Sequence, residues 1–151
     1  MGTRALGYAQ RYGAHVMTSS GQTIRTVIVD DQDHFRHGLR TALEQADVDI
    51  EVVGEATTGE EGVELIKRLR PAVAIIDVRM PGAGGISAAR AVAAAAPQTH
   101  VLMLTVSDEV DDIAQAVGVG AGYLLKDRSL EDIAEAVIAL AGGQQWPAET
   151  G

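Results

Sequence analysis

The sequence predicts an α/β fold, a three-layer doubly wound (βα)5 arrangement with one parallel sheet between two layers of helices. Two observations support this prediction. Continuous runs of Val, Ile and Leu, typical of strands buried on both faces, recur along the chain. Segments with apolar residues at helical spacing follow them, so that strands and helices alternate five times with short connections. Crossovers between parallel strands are right-handed, which gives the three layers.

Four of the predicted strands share a feature, because each apolar run ends on a polar residue. The runs are Thr26–Val29 before Asp30 and Asp31, Ala72–Ile76 before Asp77, Val101–Leu104 before Thr105, and Gly122–Leu125 before Lys126. The remaining strand, Ile50–Ala56, is partly alternating and charged, as expected of a strand at the edge of a sheet. An edge position for this second strand fits the order 2-1-3-4-5, in which the first and third strands are neighbours.

The predicted helices are bounded by capping and terminating residues. The first helix is predicted over 34–46 and the second over 58–69, where Thr58 and Glu61 form a capping box. The third is rich in alanine and ends at Ala96. The fourth is capped by Ser107 and ended by Gly118, and the fifth is capped by Ser129 and ended by Gly142. The apolar residues that share a face are Val110, Ile113, Ala114 and Val117 on the fourth helix and the inward-facing Leu130, Ile133, Ala134, Val137 and Leu140 on the last.

The length of 151 residues suits one domain. We expect a flexible N-terminal extension over 1–24, the domain over 25–143, and a tail or the start of a linker over 144–151. The net charge of −9 argues against a nucleic-acid surface. The absence of cysteine excludes disulfides and thiolate metal sites. No apolar stretch is long enough to cross a membrane and residues 1–20 lack a signal-peptide core, so we expect a cytoplasmic protein.

The polar residues at the strand ends are predicted to converge, because parallel strands place their C-terminal ends at one edge, where open α/β sheets bind ligands. Three carboxylates, of Asp30, Asp31 and Asp77, would repel one another unless a cation lay among them, and oxygen ligands at such an edge suit Mg²⁺. A carboxylate beside that metal could be the nucleophile in phosphoryl transfer. Lys126 could neutralise the incoming phosphoryl group, and Thr105 could donate a hydrogen bond to it.

These residues, in this order, resemble the receiver domain of two-component response regulators. The match consists of D-D after the first strand, a lone Asp before x-x-M-P-G after the third, Thr after the fourth and G-Y-L-L-K-D at the fifth, over about Thr26 to Gly142. The segments V-V-G-E-A-T-T-G-E-E-G, D-V-R-M-P-G and G-A-G-Y-L-L-K-D resemble the NarL/FixJ (LuxR-type) subfamily in particular. The resemblance implies a flavodoxin-like fold and a phosphorylation switch that catalyses only its own phosphorylation and dephosphorylation.

The resemblance also implies a role for each matched residue. The phosphoacceptor would be Asp77, and Mg²⁺ would be held by Asp77, by Asp31, by the backbone carbonyl of Arg79 and, mainly through water, by Asp30. The phosphoryl group would be met by Lys126, approached by Thr105 and sensed by Tyr123 through a change of rotamer.

The implied partners are a sensor histidine kinase and, on phosphorylation, a second copy of the chain. The output face would comprise the helix from about Glu109, the strand through Tyr123 and the helix from about Ser129. The subfamily usually continues into a DNA-binding helix-turn-helix domain, for which Gln144 to Gly151 are too short. The chain is therefore either part of a longer transcription factor, which the motifs favour, or a stand-alone receiver that acts through protein contacts.

Two positions depart from the common pattern of the family. Val106, after the switch threonine, is bulkier than the usual Ala or Gly and is expected to narrow access for small phosphodonors. Arg79 is a long cation that could pair with the phosphoryl group or shield it from water, which would change the lifetime of the phosphorylated state.

Two other functions are alternatives to the switch. A metal-dependent phosphatase with an aspartate nucleophile would use Asp31-Gln32-Asp33 as its D-x-D motif, but Phe35 stands where that family usually has Thr or Val, and Asp30 would have no clear role. A degenerate receiver used only for docking would not need the complete set of acidic, hydroxyl and ammonium groups.

Overall fold

A computed structural model of the chain describes residues 23–46, 49–82, 84–106 and 110–147. Five strands and five helices alternate in these ranges: β1 Ile24–Val29, α1 Asp33–Glu44, β2 Ile50–Ala56, α2 Gly59–Leu69, β3 Val73–Asp77, α3 Gly84–Ala95, β4 His100–Thr105, α4 Val110–Gly118, β5 Gly122–Leu125 and α5 Leu130–Ala141. The predictions made for residues 1–22, for the cap at Ser107 and for residues 148–151 lie outside the described residues.

The five strands form one parallel sheet in the order β2-β1-β3-β4-β5, which confirms the predicted fold class and strand order. β1 and β3 are neighbours, with Val29 opposite Ile76. β4 lies between β3 and β5, so Leu104 is opposite Asp77 and Thr105 is opposite Leu125. This register brings the C-terminal ends of four strands to one edge of the sheet.

The sheet has a separate apolar core on each face, because successive side chains of a strand point to opposite sides. One core contains Ile28, Ile75 and Leu102 and is covered by α1 and α5. The other contains Val27 and Met103 and lies under α2, α3 and α4. The continuous apolar runs of the strands are therefore explained by burial on both faces.

The helix ends depend on local interactions, most of which the sequence predicts. Thr58 accepts a hydrogen bond from the Glu61 backbone N–H at 3.1 Å, but the Glu61 carboxylate accepts from Thr57 N–H rather than from Thr58 N–H, so the predicted capping box is only half formed. Ser129 caps α5 by accepting from Asp132 N–H at 3.1 Å. The residue that follows the last residue of α2 is Arg70, which has a positive φ of 49°. Because Arg70 precedes Pro71, the helical conformation is disfavoured at Arg70.

The prediction for the last helix is confirmed, whereas part of the apolar face of α4 is exposed to solvent. Ile133, Ala134, Val137 and Leu140 of α5 are buried, and Leu130 is half-buried. On α4, by contrast, Val117 is 58% exposed and Ala114 is exposed, whereas Ala116 is buried. The contacts with the core in this part of the chain come from this alanine and, beyond the helix, from Val119, Ala121 and Tyr123. Within the described ranges no helix has the length and hydrophobicity needed to span a bilayer.

Candidate functional site

The carboxyl edge of the sheet gathers the polar residues that were predicted to meet there. Asp30 follows β1, and Asp77 and Thr105 are the last residues of β3 and β4. Lys126 follows β5, and its backbone N–H donates to the Thr105 carbonyl at 2.7 Å. The topology thus places acidic, hydroxyl and ammonium groups side by side.

Three carboxylates form the centre of the site. Asp30, Asp31 and Asp77 each offer an oxygen, and these oxygens lie within 4.8 Å of one another. Asp30 and Asp77 are 1% and 3% exposed, while Asp31 is exposed and open to solvent. Two turns after the strands fix the buried pair, since Asp30 accepts from Gln32 N–H at 2.8 Å and Asp77 from Arg79 N–H at 3.2 Å. We call these three carboxylates the acidic cluster.

The Lys126 ammonium lies inside the acidic cluster. Its Nζ is 2.8 Å from Asp30 Oδ2 and donates to Asp77 Oδ2 at 3.2 Å. It also donates to Gln32 Oε1 at 2.6 Å and lies 4.5 Å from the centre of the Phe35 ring. Sequence reasoning did not assign Gln32 or Phe35 to this site. The available signal was their position in the chain. Gln32 comes directly after the paired aspartates and precedes α1, and Phe35 follows one helical turn later.

Burial and charge act together on Asp77. Burial raises the pKa of its carboxyl, the negative charge of Asp30 raises it further, and the Lys126 ammonium only partly offsets both effects. The ionised site is therefore short of positive charge, and a cation that binds there gains affinity from that deficit.

The cluster has the chemistry of a site for a hard divalent cation. Among the described residues Asp30 Oδ2 accepts no hydrogen bond, although the Lys126 ammonium is within ion-pair distance of it. Carboxylate oxygens at a solvent-open edge are ligands that Mg²⁺ accepts, usually together with water and phosphate oxygens. The residues present fit such an ion.

Gly85 allows α3 to begin directly against the site. A Cβ at this position would clash with the carbonyl oxygen of Asp77 and would lie 2.9 Å from the Val78 Cα, closer than any side chain can approach. The Gly85 N–H donates to the Val78 carbonyl at 3.1 Å. The sequence analysis does not predict this contact, for which the pair Gly84-Gly85 was the local signal.

A buried arginine supports the site from the side of α1. Arg36 is 7% exposed and donates to the carbonyl of Asp30 at 2.8 Å, to Glu55 at 2.8 Å and to Asp33 at 2.7 Å. Arg40 pairs with the other oxygen of Glu55. Asp33 thus points to Arg36 and is outside the acidic cluster, which argues against the D-x-D motif of a phosphatase.

The remaining predicted residues lie around the rim. Tyr123 is half-buried on β5 and packs against the core under α2–α4. Val106 is 64% exposed. The Arg79 guanidinium pairs with Asp112 of α4 at 2.8 Å, so one of its contacts ties the loop after β3 to α4. The roles that the resemblance assigns to Thr105, to Tyr123 and to the backbone carbonyl of Arg79 stay predictions.

The fold and the edge residues together define a signalling domain of the receiver class. The family described as response regulator receiver domain matches residues 26–138, and the chain belongs to this family. Its members are generally non-enzymatic domains of two-component systems that histidine kinases phosphorylate.

Relatives within the family narrow the likeness to the NarL/LuxR group. The chain is 40% identical over 124 residues to the probable transcriptional regulatory protein NarL of Mycobacterium tuberculosis, covering 82% of this chain and 57% of the relative. It is 38% identical over 128 residues to the transcriptional regulatory protein LnrK of Bacillus subtilis, covering 83% and 58%. The chain thus spans a little over half the length of these curated relatives.

Solved structures agree with this assignment. The structure of the receiver domain of NarL from Mycobacterium tuberculosis matches with a TM-score of 0.77 at 40% identity, over 82% of this chain and 99% of that one. The response regulator domain of Thermotoga maritima CheB matches with a TM-score of 0.71 at 27% identity, over 81% and 98%.

Proposed function

We propose that this receiver is a switch that accepts a phosphoryl group from a sensor histidine kinase on Asp77 and requires Mg²⁺ to do so. The observation that supports this most directly is the placement of Asp77. Its carboxylate is buried at the end of the central strand β3, within 4.8 Å of two further carboxylates and 3.2 Å from an ammonium. This is an arrangement in which one carboxylate can act as nucleophile while its neighbours hold a cation.

The chemistry is a phosphoryl transfer between two oxygens or from nitrogen to oxygen. An Asp77 carboxylate oxygen attacks phosphorus, a new P–O bond forms, and the P–N bond of phosphohistidine or the P–O bond of an acyl phosphate breaks. The leaving group departs with the bonding electron pair. Attack of water on phosphorus later returns the Asp77 carboxylate and releases inorganic phosphate.

The side chains around Asp77 have separate tasks in this proposal. Asp30, Asp31 and Asp77 would hold Mg²⁺, with the Arg79 carbonyl as a further ligand. Mg²⁺, when bound, supplies neutralisation of charge on the phosphoryl oxygens. Lys126, already within reach of Asp77 Oδ2, would pair with the new phosphoryl group.

Intact mass spectrometry after incubation with Mg²⁺ and acetyl phosphate tests the proposal. We expect wild type to gain the mass of one HPO₃ unit and Asp77→Asn to gain none. Asp127→Asn is a matched control, because Asp127 is exposed and outside the acidic cluster, and it should be phosphorylated like wild type.

Other outcomes point to the competing functions. Repeated release of phosphate from an organic phosphate ester would indicate a phosphatase. No adduct with acetyl phosphate or with a histidine kinase would indicate a domain used only for docking. Either result overturns the proposal.

The output remains a further part of the proposal. The relatives named as transcriptional regulatory proteins are longer than this chain, which supports a receiver over about 25–143 that controls a DNA-binding domain in a longer protein. The exposed apolar residues Val117 and Ala114 of α4 support association with a second copy on phosphorylation. A stand-alone receiver that acts through protein contacts in the cytoplasm is the alternative.

A further inference from the structure

The segment that follows α5 turns back onto the outer edge of β5. Gly143, with a positive φ of 85°, reverses the chain, and Gln144 N–H donates to the carbonyl of Ala139 at 2.9 Å. Trp146 then lies beside β5, where its carbonyl accepts a hydrogen bond from Tyr123 N–H at 3.3 Å. We call residues 144–147 the strap.

The strap is packed against the domain as well as hydrogen-bonded to it. Trp146 packs against the core between the sheet and helices α1 and α5. Gly122 permits this approach, because a Cβ there would lie 3.0 Å from the Trp146 carbonyl oxygen and 3.3 Å from its Cβ. Beside the strap is an open groove of about 500 Å³, to which Val117, Tyr123 and Leu140 contribute. The strap therefore forms one wall of a groove whose other wall reaches α4.

β5 links the strap to the acidic cluster through a very short stretch of chain. The strand has only four residues, Gly122–Leu125. Tyr123, which the strap holds by its backbone, is followed three residues later by Lys126, whose ammonium lies 3.2 Å from Asp77. An extended segment this short transmits a shift along its axis because it has no turn or loop to absorb it. A displacement of the Lys126 backbone on phosphorylation would thus reach the bond to the strap.

The hydrogen bond between Tyr123 and the strap is the weakest part of the connection from the strap through β5 to Lys126. Among the described residues it is the one backbone hydrogen bond between β5 and the strap, whereas β5 pairs with β4 along its whole length. Gln144 and Gln145 of the strap are exposed and uncharged. A small displacement of β5 would therefore break the contact at the strap before it breaks the ladder to β4.

We propose that the strap is docked on β5 while Asp77 is unphosphorylated and is released when Asp77 is phosphorylated. Release frees the groove beside Tyr123 and changes the direction in which the chain leaves the domain. The inference rests on the proposed function, since it needs Asp77 to be the phosphoacceptor.

The chain contains a single tryptophan, so the fluorescence of Trp146 reports on the strap alone. With Mg²⁺ and acetyl phosphate present, we expect the emission of wild type to shift to longer wavelength and its quenching by acrylamide to increase. Asp77→Asn under the same conditions should show neither change. Intact mass measured on the same samples gives the fraction of phosphorylated chain.

A second measurement uses the reciprocity of coupled equilibria. If docking favours the unphosphorylated state, loss of docking must favour the phosphorylated one. Trp146→Ala should therefore bind beryllofluoride, a non-covalent mimic of the phosphoryl group, more tightly than wild type in the presence of Mg²⁺, while Gln145→Ala, altered at an exposed neighbour in the strap, should match wild type. A tryptophan that only stabilised the fold would lower the melting temperature without raising this affinity.

The outcomes separate the two hypotheses. A chain that shows the full adduct by mass but unchanged tryptophan emission overturns the strap inference and leaves the phosphoacceptor intact. An unchanged affinity of Trp146→Ala for beryllofluoride does the same. Failure of wild type to form any adduct overturns the proposed function, and the strap inference falls with it.

Discussion

Lys126 is held by neighbours of two kinds, and the proposed phosphorylation of Asp77 would affect the two kinds differently. Asp30 and Asp77 attract its ammonium at 2.8 and 3.2 Å, and both are needed for other tasks in the proposed reaction. Gln32 and the Phe35 ring, at 2.6 and 4.5 Å, have no such task. A cation over an aromatic face is stabilised by about 0.5 to 2 kcal/mol, depending on solvation. Gln32 and Phe35 therefore keep the ammonium near the site while its carboxylate partners change.

We predict that Phe35→Leu slows phosphorylation of Asp77. Leucine retains the apolar contact with the core but not the π face, so Lys126 is held less firmly beside Asp77. A loss of about 0.5 to 1.4 kcal/mol corresponds to a rate roughly 2- to 10-fold lower. The measurement is adduct formation with acetyl phosphate followed by intact mass.

Phe35→Tyr serves as the matched control, because it keeps the ring, and its rate should stay near that of wild type. Equal rates for the leucine and tyrosine variants would show that the ring does not position Lys126. Circular dichroism of both variants establishes that the fold is retained.

The sequence predicted the strand-end residues of the site but not the residues that position them. Asp77, Thr105 and Lys126 follow buried strands, and parallel topology alone requires them to share an edge. The contact of Phe35 depends on the rotamer of a long lysine side chain, which no spacing rule specifies. The close approach at Gly85 depends on how near α3 comes to β3, a distance decided by tertiary packing.

At the scale of whole elements, α1 is tied to the edge strand β2 by a network of charges. Arg36 on α1 joins the end of β1 to Glu55 on β2, and Arg40 binds the same carboxylate. Burial alone would raise the pKa of Glu55, but hydrogen bonds and charge from Arg40 and Arg36 outweigh it and hold the pKa below its usual value of 4.5. The carboxylate therefore stabilises the fold in its ionised form.

We predict that Glu55→Gln lowers the free energy of unfolding near neutral pH by roughly 1 to 3 kcal/mol, as expected for hydrogen bonds between charged groups. Because the folded pKa is lowered, this contribution is present above 4.5 and is lost as the pH falls through the lower folded value. The difference between wild type and variant should thus shrink in acid. Urea unfolding at about pH 7 and at about pH 4 measures it.

Glu51→Gln is the control, since Glu51 lies on the same strand with its side chain exposed. Its effect should be small at both pH values. A difference for Glu55→Gln that stayed constant with pH would contradict the ionised role of Glu55.

Helical periodicity identified the elements correctly but could not orient all of them. It shows which residues of α4 share a face and not which face meets the sheet. Val117 belongs to the most apolar face, yet the helix turns Ala116 inward, and Val119, Ala121 and Tyr123 supply further contacts with the core from outside the helix. For α5 the apolar positions are more numerous, and the inward face was predicted correctly.

At the scale of the whole molecule, negative charge is concentrated where the chemistry is proposed to occur. The chain carries a net charge of −9, and the acidic cluster, with its two buried carboxylates, lies at one edge of the sheet. Such a field raises the local concentration of divalent cations. It also reduces stability when no cation is bound, because the ionised Asp77 has a raised pKa and costs free energy at any pH above its usual 3.8.

We predict opposite stability effects of one substitution with and without metal. Without Mg²⁺, Asp77→Asn should raise the melting temperature, because it removes a charge beside buried Asp30. With Mg²⁺ at about 100 times its dissociation constant, the free energy of unfolding of wild type should rise by about 2.7 kcal/mol. Each kcal/mol corresponds to a rise in melting temperature of roughly 2 to 4 °C. The variant, with one ligand fewer, should gain less. Thermal unfolding with EDTA and with Mg²⁺ measures both effects.

Asp127→Asn, which changes an exposed aspartate outside the cluster, should respond to Mg²⁺ as wild type does. A melting temperature of wild type that did not change with Mg²⁺ would contradict the metal site.

The two outer strands of the sheet are protected against pairing with another molecule in different ways. β2 carries Glu51 and Glu55 and its pairing with β1 is irregular near Thr26, features that discourage strand addition. β5 lacks charge over its four residues, and Trp146 occupies its edge instead. Charge on β2 is permanent, whereas a covering segment can leave. Strand addition is therefore discouraged at β2 in every state of the protein, whereas at β5 it is blocked only while the strap is docked. β5 is also the strand that leads directly into Lys126.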